Sequence, residues 1–234
     1  MNDDEINNDN LDQLPDELGT IEVPRQFHQL GIFVLDGSGS MYGQAHGGAT
    51  KAEAVNDALR GVLTRFKVSK NKNDFSFAVI AFDGTASIKT PITPAVDIDD
   101  NDNYDPTVGH GGGTNIMAGL EEAQKLAQDH INNGQTGGAP HSAIILIMTD
   151  GMDGNSSSTL QKAEEIKNGS FGGQITICTT YFGDIGSSDV GAKNHLKSLS
   201  TDKVMGFKEV YDAEALRSFF IKSISSVSGV KMED

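Results

Sequence analysis

From residue 28 onward, short apolar runs alternate with segments of helical periodicity, and no other feature restricts the fold as tightly. QLGIFVLD, FSFAVIAFD, HSAIILIMTDG and GQITICTTYFG are apolar on both faces, the mark of strands covered from both sides. Between them, KAEAVNDALRGVLTRF places Ala54, Val55, Ala58, Leu59, Val62, Leu63 and Phe66 at helical spacing. TNIMAGLEEAQKLAQDHINN does the same with Ile116, Leu120, Ala123, Leu126 and Ala127, and Thr114 is placed to cap it. Further helices are expected over STLQKAEEIKN, DVGAKNHLKSLS and AEALRSFFIKSISSVS, and a last strand within DKVMGFKEVYD. The hairpin signal Asp83-Gly84 adds a short edge strand in TASIKTPIT. This alternation predicts one α/β domain over residues 25–230, a doubly wound and mostly parallel sheet with helices on both faces. Residues 1–24 read as an acidic flexible tail interrupted by Pro15 and Pro24, and residues 231–234 as a short C-terminal tail.

In such a sheet the chemistry collects beyond the carboxyl ends of the strands, where the strand order changes. Asp36, Ser38 and Ser40 follow the first strand, Asp83 the second, and Thr149 and Asp150 the fourth. Thr114 follows the glycine-rich GHGGG, just before a helix. A phosphate-cradling loop needs Gly-Lys-Ser/Thr, and here Met41 follows Ser40. A hydrolase elbow needs Gly-x-Ser-x-Gly, but Asp36 precedes Ser38 by two residues and Ser38 precedes Ser40. An aspartyl-phosphate enzyme needs a second acid two residues after its nucleophile, where this chain has Ser38.

A metal site suits the same residues better. Alternation along an extended turn would point Asp36, Ser38 and Ser40 to one side, with Gly37 and Gly39 letting the backbone bend. Carboxylates and hydroxyls are hard oxygen donors, suited to Mg²⁺, Mn²⁺ or Ca²⁺. Thr114 would add a hydroxyl and Asp150 a second carboxylate, leaving a position open for an outside acid.

At FVLDGSGSM, GHGGGTNIMAGL and ILIMTDGMDG, in that order, the chain resembles a von Willebrand factor A domain with a metal-ion-dependent adhesion site. The resemblance covers about residues 28–225. It implies a six-stranded sheet and a bound Mg²⁺ or Mn²⁺ held by Asp36, Ser38, Ser40, Thr114 and Asp150. It implies binding through a partner protein's Glu or Asp, without catalysis. LDGSGSM is most similar to bacterial cytosolic members, linked to tellurium resistance or partnered with AAA+ ATPases, which suggests a stress-response or chaperone-like assembly. The alternatives are a metal-dependent hydrolase or phosphatase on the same rim, and a structural subunit with a vestigial site.

The net charge of −15 is unevenly spread, with seven carboxylates in residues 1–20 and five more in DIDDNDNYD, 97–105. With no basic patch, binding to a nucleic-acid backbone is not expected. The apolar runs are too short to span a membrane, and the acidic N-terminus has no apolar stretch, so the chain reads as cytoplasmic. The acidic segment 97–105 suggests a carboxylate that could cap the metal from within the chain, a role the tail could share. Its alternating acids also hint at a second cation site. His46 and His110 are expected near the rim as solvated loop residues, with a histidine ligand as the alternative. The single cysteine, Cys178, allows no internal disulfide and is expected as a small buried residue.

Overall fold

The structure is a computed structural model that describes residues 27–134, 139–184, 189–202 and 205–229. The expected tails, 1–24 and 231–234, lie outside the described residues. Six strands form one sheet: β1 (His28–Asp36), β2 (Phe75–Phe82), β3 (Ala86–Pro94), β4 (His141–Thr149), β5 (Ile175–Phe182) and β6 (Phe207–Val210). Five α-helices cover it: α1 (Lys51–Lys67), α2 (Ile116–Gly134), α3 (Ser156–Asn168), α4 (Val190–Leu199) and α5 (Ala213–Ser228). The sheet order is β3-β2-β1-β4-β5-β6, parallel except for the hairpin of β2 and β3. The α/β sheet expected from the alternation is therefore the one observed.

Burial explains the apolar runs. β1 and β2 have water on neither face, because successive side chains enter two different cores. Phe33 and Leu35 of β1 pack with Val55, Leu59, Leu63 and Phe66 of α1 and Phe220 and Ile224 of α5. Ile32 and Val34 pack on the other face with Ile116, Leu120 and Ala123 of α2 and Ala163 and Ile166 of α3. Cys178 is buried as expected, and burial pushes its thiol up to about 11. Among the described residues, no helix is long and apolar enough to cross a membrane.

The chain leaves β1 on one side and returns in β4 on the other, so the order reverses between these neighbours. Asp36 ends β1, and Asp150 follows the last residue of β4. The fold thus sets both carboxylates at one switch point.

The opposite end of the same strands carries three packed histidines that the sequence does not bring together. His28 opens β1, His141 opens β4, and His130 reaches them from α2. Their ring centroids lie 4.8–5.6 Å apart. Desolvation, with the charges of its two neighbours, lowers the His130 pKa to about 4 against a partial offset from its hydrogen bond to the His28 carbonyl. Desolvation and the His141 charge lower His28 as well, with Asp74 opposing them. The fold therefore favours neutral rings. That stability is complete above the unfolded histidine value of about 6.5 and is lost as pH falls toward 4. His130→Phe is expected to weaken the fall in stability between pH 7 and 4.5 by about 2 kcal/mol relative to the unsubstituted chain, measured by urea denaturation across pH.

Candidate metal centre

Asp36 sits at the end of a strand with no exposed surface, and its carboxylate is matched from two directions. Oδ1 accepts the Ser38 backbone N–H at 2.8 Å, and Oδ2 accepts the Thr149 hydroxyl from β4. Burial raises its pKa to about 6, against the pull of those hydrogen bonds, and the Asp150 charge adds to the rise. The chain then enters a 3₁₀ turn over Gly39–Tyr42. The expectation of a wholly extended turn is corrected here: Ser38 is extended, but Ser40 lies inside the 3₁₀ turn. The turn still brings the hydroxyls of Ser38 and Ser40 together at 3.0 Å. Ser40 donates to Asp150 Oδ1 at 2.6 Å, joining residues 110 apart in sequence.

Gly37 answers to close approach. A Cβ there would overlap the Pro106 carbonyl oxygen and come within 2.9 Å of His110 Cβ. The loop before α2 is thereby seated on the first strand's end. Asp83 fixes that loop from below, accepting the N–H groups of Gly111 at 3.2 Å and Gly112 at 3.0 Å. Gly112 in turn accepts the Gly39 N–H at 3.1 Å. Burial would raise the Asp83 pKa, but hydrogen bonds from Thr85, Gly112 and His110 hold it well below the usual carboxylate range. His110 is not the solvated residue expected, because its imidazole lies 3.2 Å from Asp83 and 2.8 Å from Ser87 Oγ. His46 is exposed, as a loop histidine is expected to be.

Thr114 does not cap α2. The helix begins at Ile116, whose N–H is accepted by Asp153 at 3.2 Å, so the Thr114 hydroxyl faces Gly151 instead. Gly154 N–H holds the Thr114 carbonyl at 2.8 Å. Asp153 also accepts the Asn155 N–H and meets His195 Nε2 at 3.1 Å. Burial opposes its ionisation, but these partners hold its pKa below the ordinary value. Asp153 thus ties α2, the turn before α3, and α4 together.

All five residues expected to bind the ion meet at this rim: Asp36, Ser38, Ser40 and Asp150 in one hydrogen-bonded chain, with Thr114 beside Gly151. Sequence reasoning missed Lys51. Its ammonium lies 2.8 Å from Asp150 Oδ2, with side chains only 9% and 1% exposed. The signal was a lysine at the first position of α1, inside the Thr50–Glu53 capping box, where the helix dipole disfavours positive charge. The donor set fits a hard divalent cation: two carboxylates and three hydroxyls, with a positive group already drawn to one carboxylate.

Pro106, His110 and Gly112 border this rim, but the carboxylates of 97–105 are not seen to cap it as expected. The acidic segment runs along α1, with Asp100 on Lys67 and Thr64, Arg60 on the Asp102 carbonyl, and Tyr104 N–H on Asn56. Asp99 and Asp105 accept backbone N–H groups two residues ahead, and Asp102 accepts that of Asn103. These carboxylates are engaged away from Asp36 and Asp150. Among the described residues, no group of three or more His, Cys, Asp or Glu side chains is placed to hold a metal. The proposed centre does not need such a group, since most of its donors are hydroxyls.

A sequence model of the von Willebrand factor type A domain matches residues 32–152, which hold all five expected residues. No curated protein matches the sequence. The fold is similar to that of the pilus adhesin SpaC from Lactobacillus rhamnosus GG in its open conformation. That match has a TM-score of 0.66 at 12% identity, over 86% of this chain and 30% of the adhesin. A von Willebrand factor type A protein from Catenulispora acidiphila gives 0.63 at 15% identity, over 87% of this chain and 43% of that one. The vWF domain of the type V pili tip protein Mfa5 from Porphyromonas gingivalis gives 0.63 at 14% identity, over 89% and 98%. This chain therefore spans less than half of the first two proteins, and likeness at such identity is likeness of fold.

Asp153→Ala removes the acceptor for Ile116 and the partner of His195. It is expected to cost about 3 kcal/mol by urea denaturation, and Asp153→Asn, which keeps an oxygen there, about half as much.

Proposed function

The chain belongs to the von Willebrand factor type A domain family, and from that premise we propose that its strand-end centre is a divalent-cation site through which a partner protein's carboxylate binds. Asp36, Ser38, Ser40, Thr114 and Asp150 would hold Mg²⁺ or Mn²⁺, directly or through water. The ion would supply an electrophilic position for a Glu or Asp side chain. The observation that carries this reading is the 2.6 Å hydrogen bond from Ser40 to Asp150, which joins the ends of β1 and β4 in one donor cluster.

The site is proposed to bind without turnover. The Ser38 and Ser40 hydroxyls bond to each other and Ser40 donates to Asp150, while among the described residues no histidine is hydrogen-bonded to either, so neither is paired with the imidazole base of a serine nucleophile. Tyr42 and Met152, each two residues beyond a proposed ligand, are exposed large side chains that give a partner apolar contact around the ion. The partner class proposed is a protein presenting Glu or Asp, an AAA+ ATPase or another stress-response protein among them. The cytoplasm is the compartment proposed.

Calorimetric titration of the chain with Mg²⁺ is expected to show one site, lost in Ser40→Ala and Asp150→Ala. A pull-down is expected to retain a partner with Mg²⁺ and release it in chelator or with Asp150→Ala. Equal retention under all these conditions would show that the ion plays no part in binding.

A further inference from the structure

We infer that Lys51 is an internal counter-cation that competes with the divalent ion for Asp150 and passes to Asp184 when the ion binds, an inference that rests on the cation site proposed above. Both Asp150 oxygens are engaged by the chain itself, Oδ1 by Ser40 and Oδ2 by Lys51. An ion using this carboxylate therefore meets an ammonium within the same few ångströms. In a site this buried, two like charges at such a distance repel strongly.

The lysine has somewhere to go. Asp184 Oδ1, just after β5, lies 3.8 Å from the same Nζ, and its side chain is 70% exposed. A lysine stem is flexible enough to exchange one carboxylate for the other. The exchange keeps the ammonium paired, which matters because a buried charge that loses its partner is costly. Helix α1 offers it nothing, since Lys51 stands at the positive end of the helix dipole.

The test is a calorimetric titration of the full chain with Mg²⁺ alone. Lys51→Met is expected to bind the ion roughly tenfold more tightly than the unsubstituted chain, with Lys51→Gln repeating that arm if Lys51→Met does not fold. Lys51→Arg keeps the charge and is expected to stay near the original affinity. Asp184→Ala removes the second acceptor and is expected to weaken binding severalfold, an effect that disappears on the Lys51→Met background. In chelator, Lys51→Met is expected to melt below the unsubstituted chain, and Mg²⁺ is expected to raise its melting temperature by more. Mg²⁺ binding that Lys51→Met leaves unchanged overturns this inference alone. An Asp184→Ala effect that persists without Lys51 overturns the exchange. Absence of Mg²⁺ binding in every variant overturns the cation site and this inference with it.

Discussion

A carboxylate buried without exposure at the end of the central strand needs hydrogen-bond donors close by, and Asp36 takes them from two places. One donor is local, the Ser38 N–H in the turn that follows. The other, the Thr149 hydroxyl, comes from a strand more than a hundred residues later. β4 is a neighbour of β1 only because the chain changes direction across the sheet at this point. The need of one buried acid and the switch in strand order therefore coincide, and the second acid, Asp150, comes with Thr149.

What surrounds the two acids holds their geometry. Asp83 pins the glycine-rich loop, the loop bonds to Gly39, Asp153 joins the starts of α2 and α3 to His195 of α4, and Gly154 holds Thr114. These are charged groups held by backbone N–H donors, stronger than neutral hydrogen bonds and directional. The result is a rim in which five oxygen-bearing side chains and one lysine meet with little freedom. Such a rim suits the proposed cation site, since donors already arranged lose little freedom on binding.

The acidic tract shows how far composition can mislead about place. Five carboxylates within nine residues suggest a patch of field at the rim. In the fold the tract climbs alongside α1, where Arg60, Thr64, Lys67 and Asn56 meet it at successive turns. Asp99, Asp102 and Asp105 close tight turns on their own backbone. Much of the negative charge there serves to fasten a long connection to a helix.

The strands and helices were legible because burial on both faces leaves unbroken apolar runs, and helical periodicity survives in each covering helix. The five proposed ligands were legible for a related reason, since each stands at a strand or helix end that those patterns locate. Periodicity carries no record of which neighbour a side chain will find across space. The 3₁₀ turn that delivers Ser40, the capture of the α2 N-terminus by Asp153 in place of Thr114, and the meeting of three histidines at the far end all depend on such neighbours. Lys51 belongs with them: the sequence shows a lysine against a helix dipole, and only the packed fold shows that Asp150 is the reason it stands there.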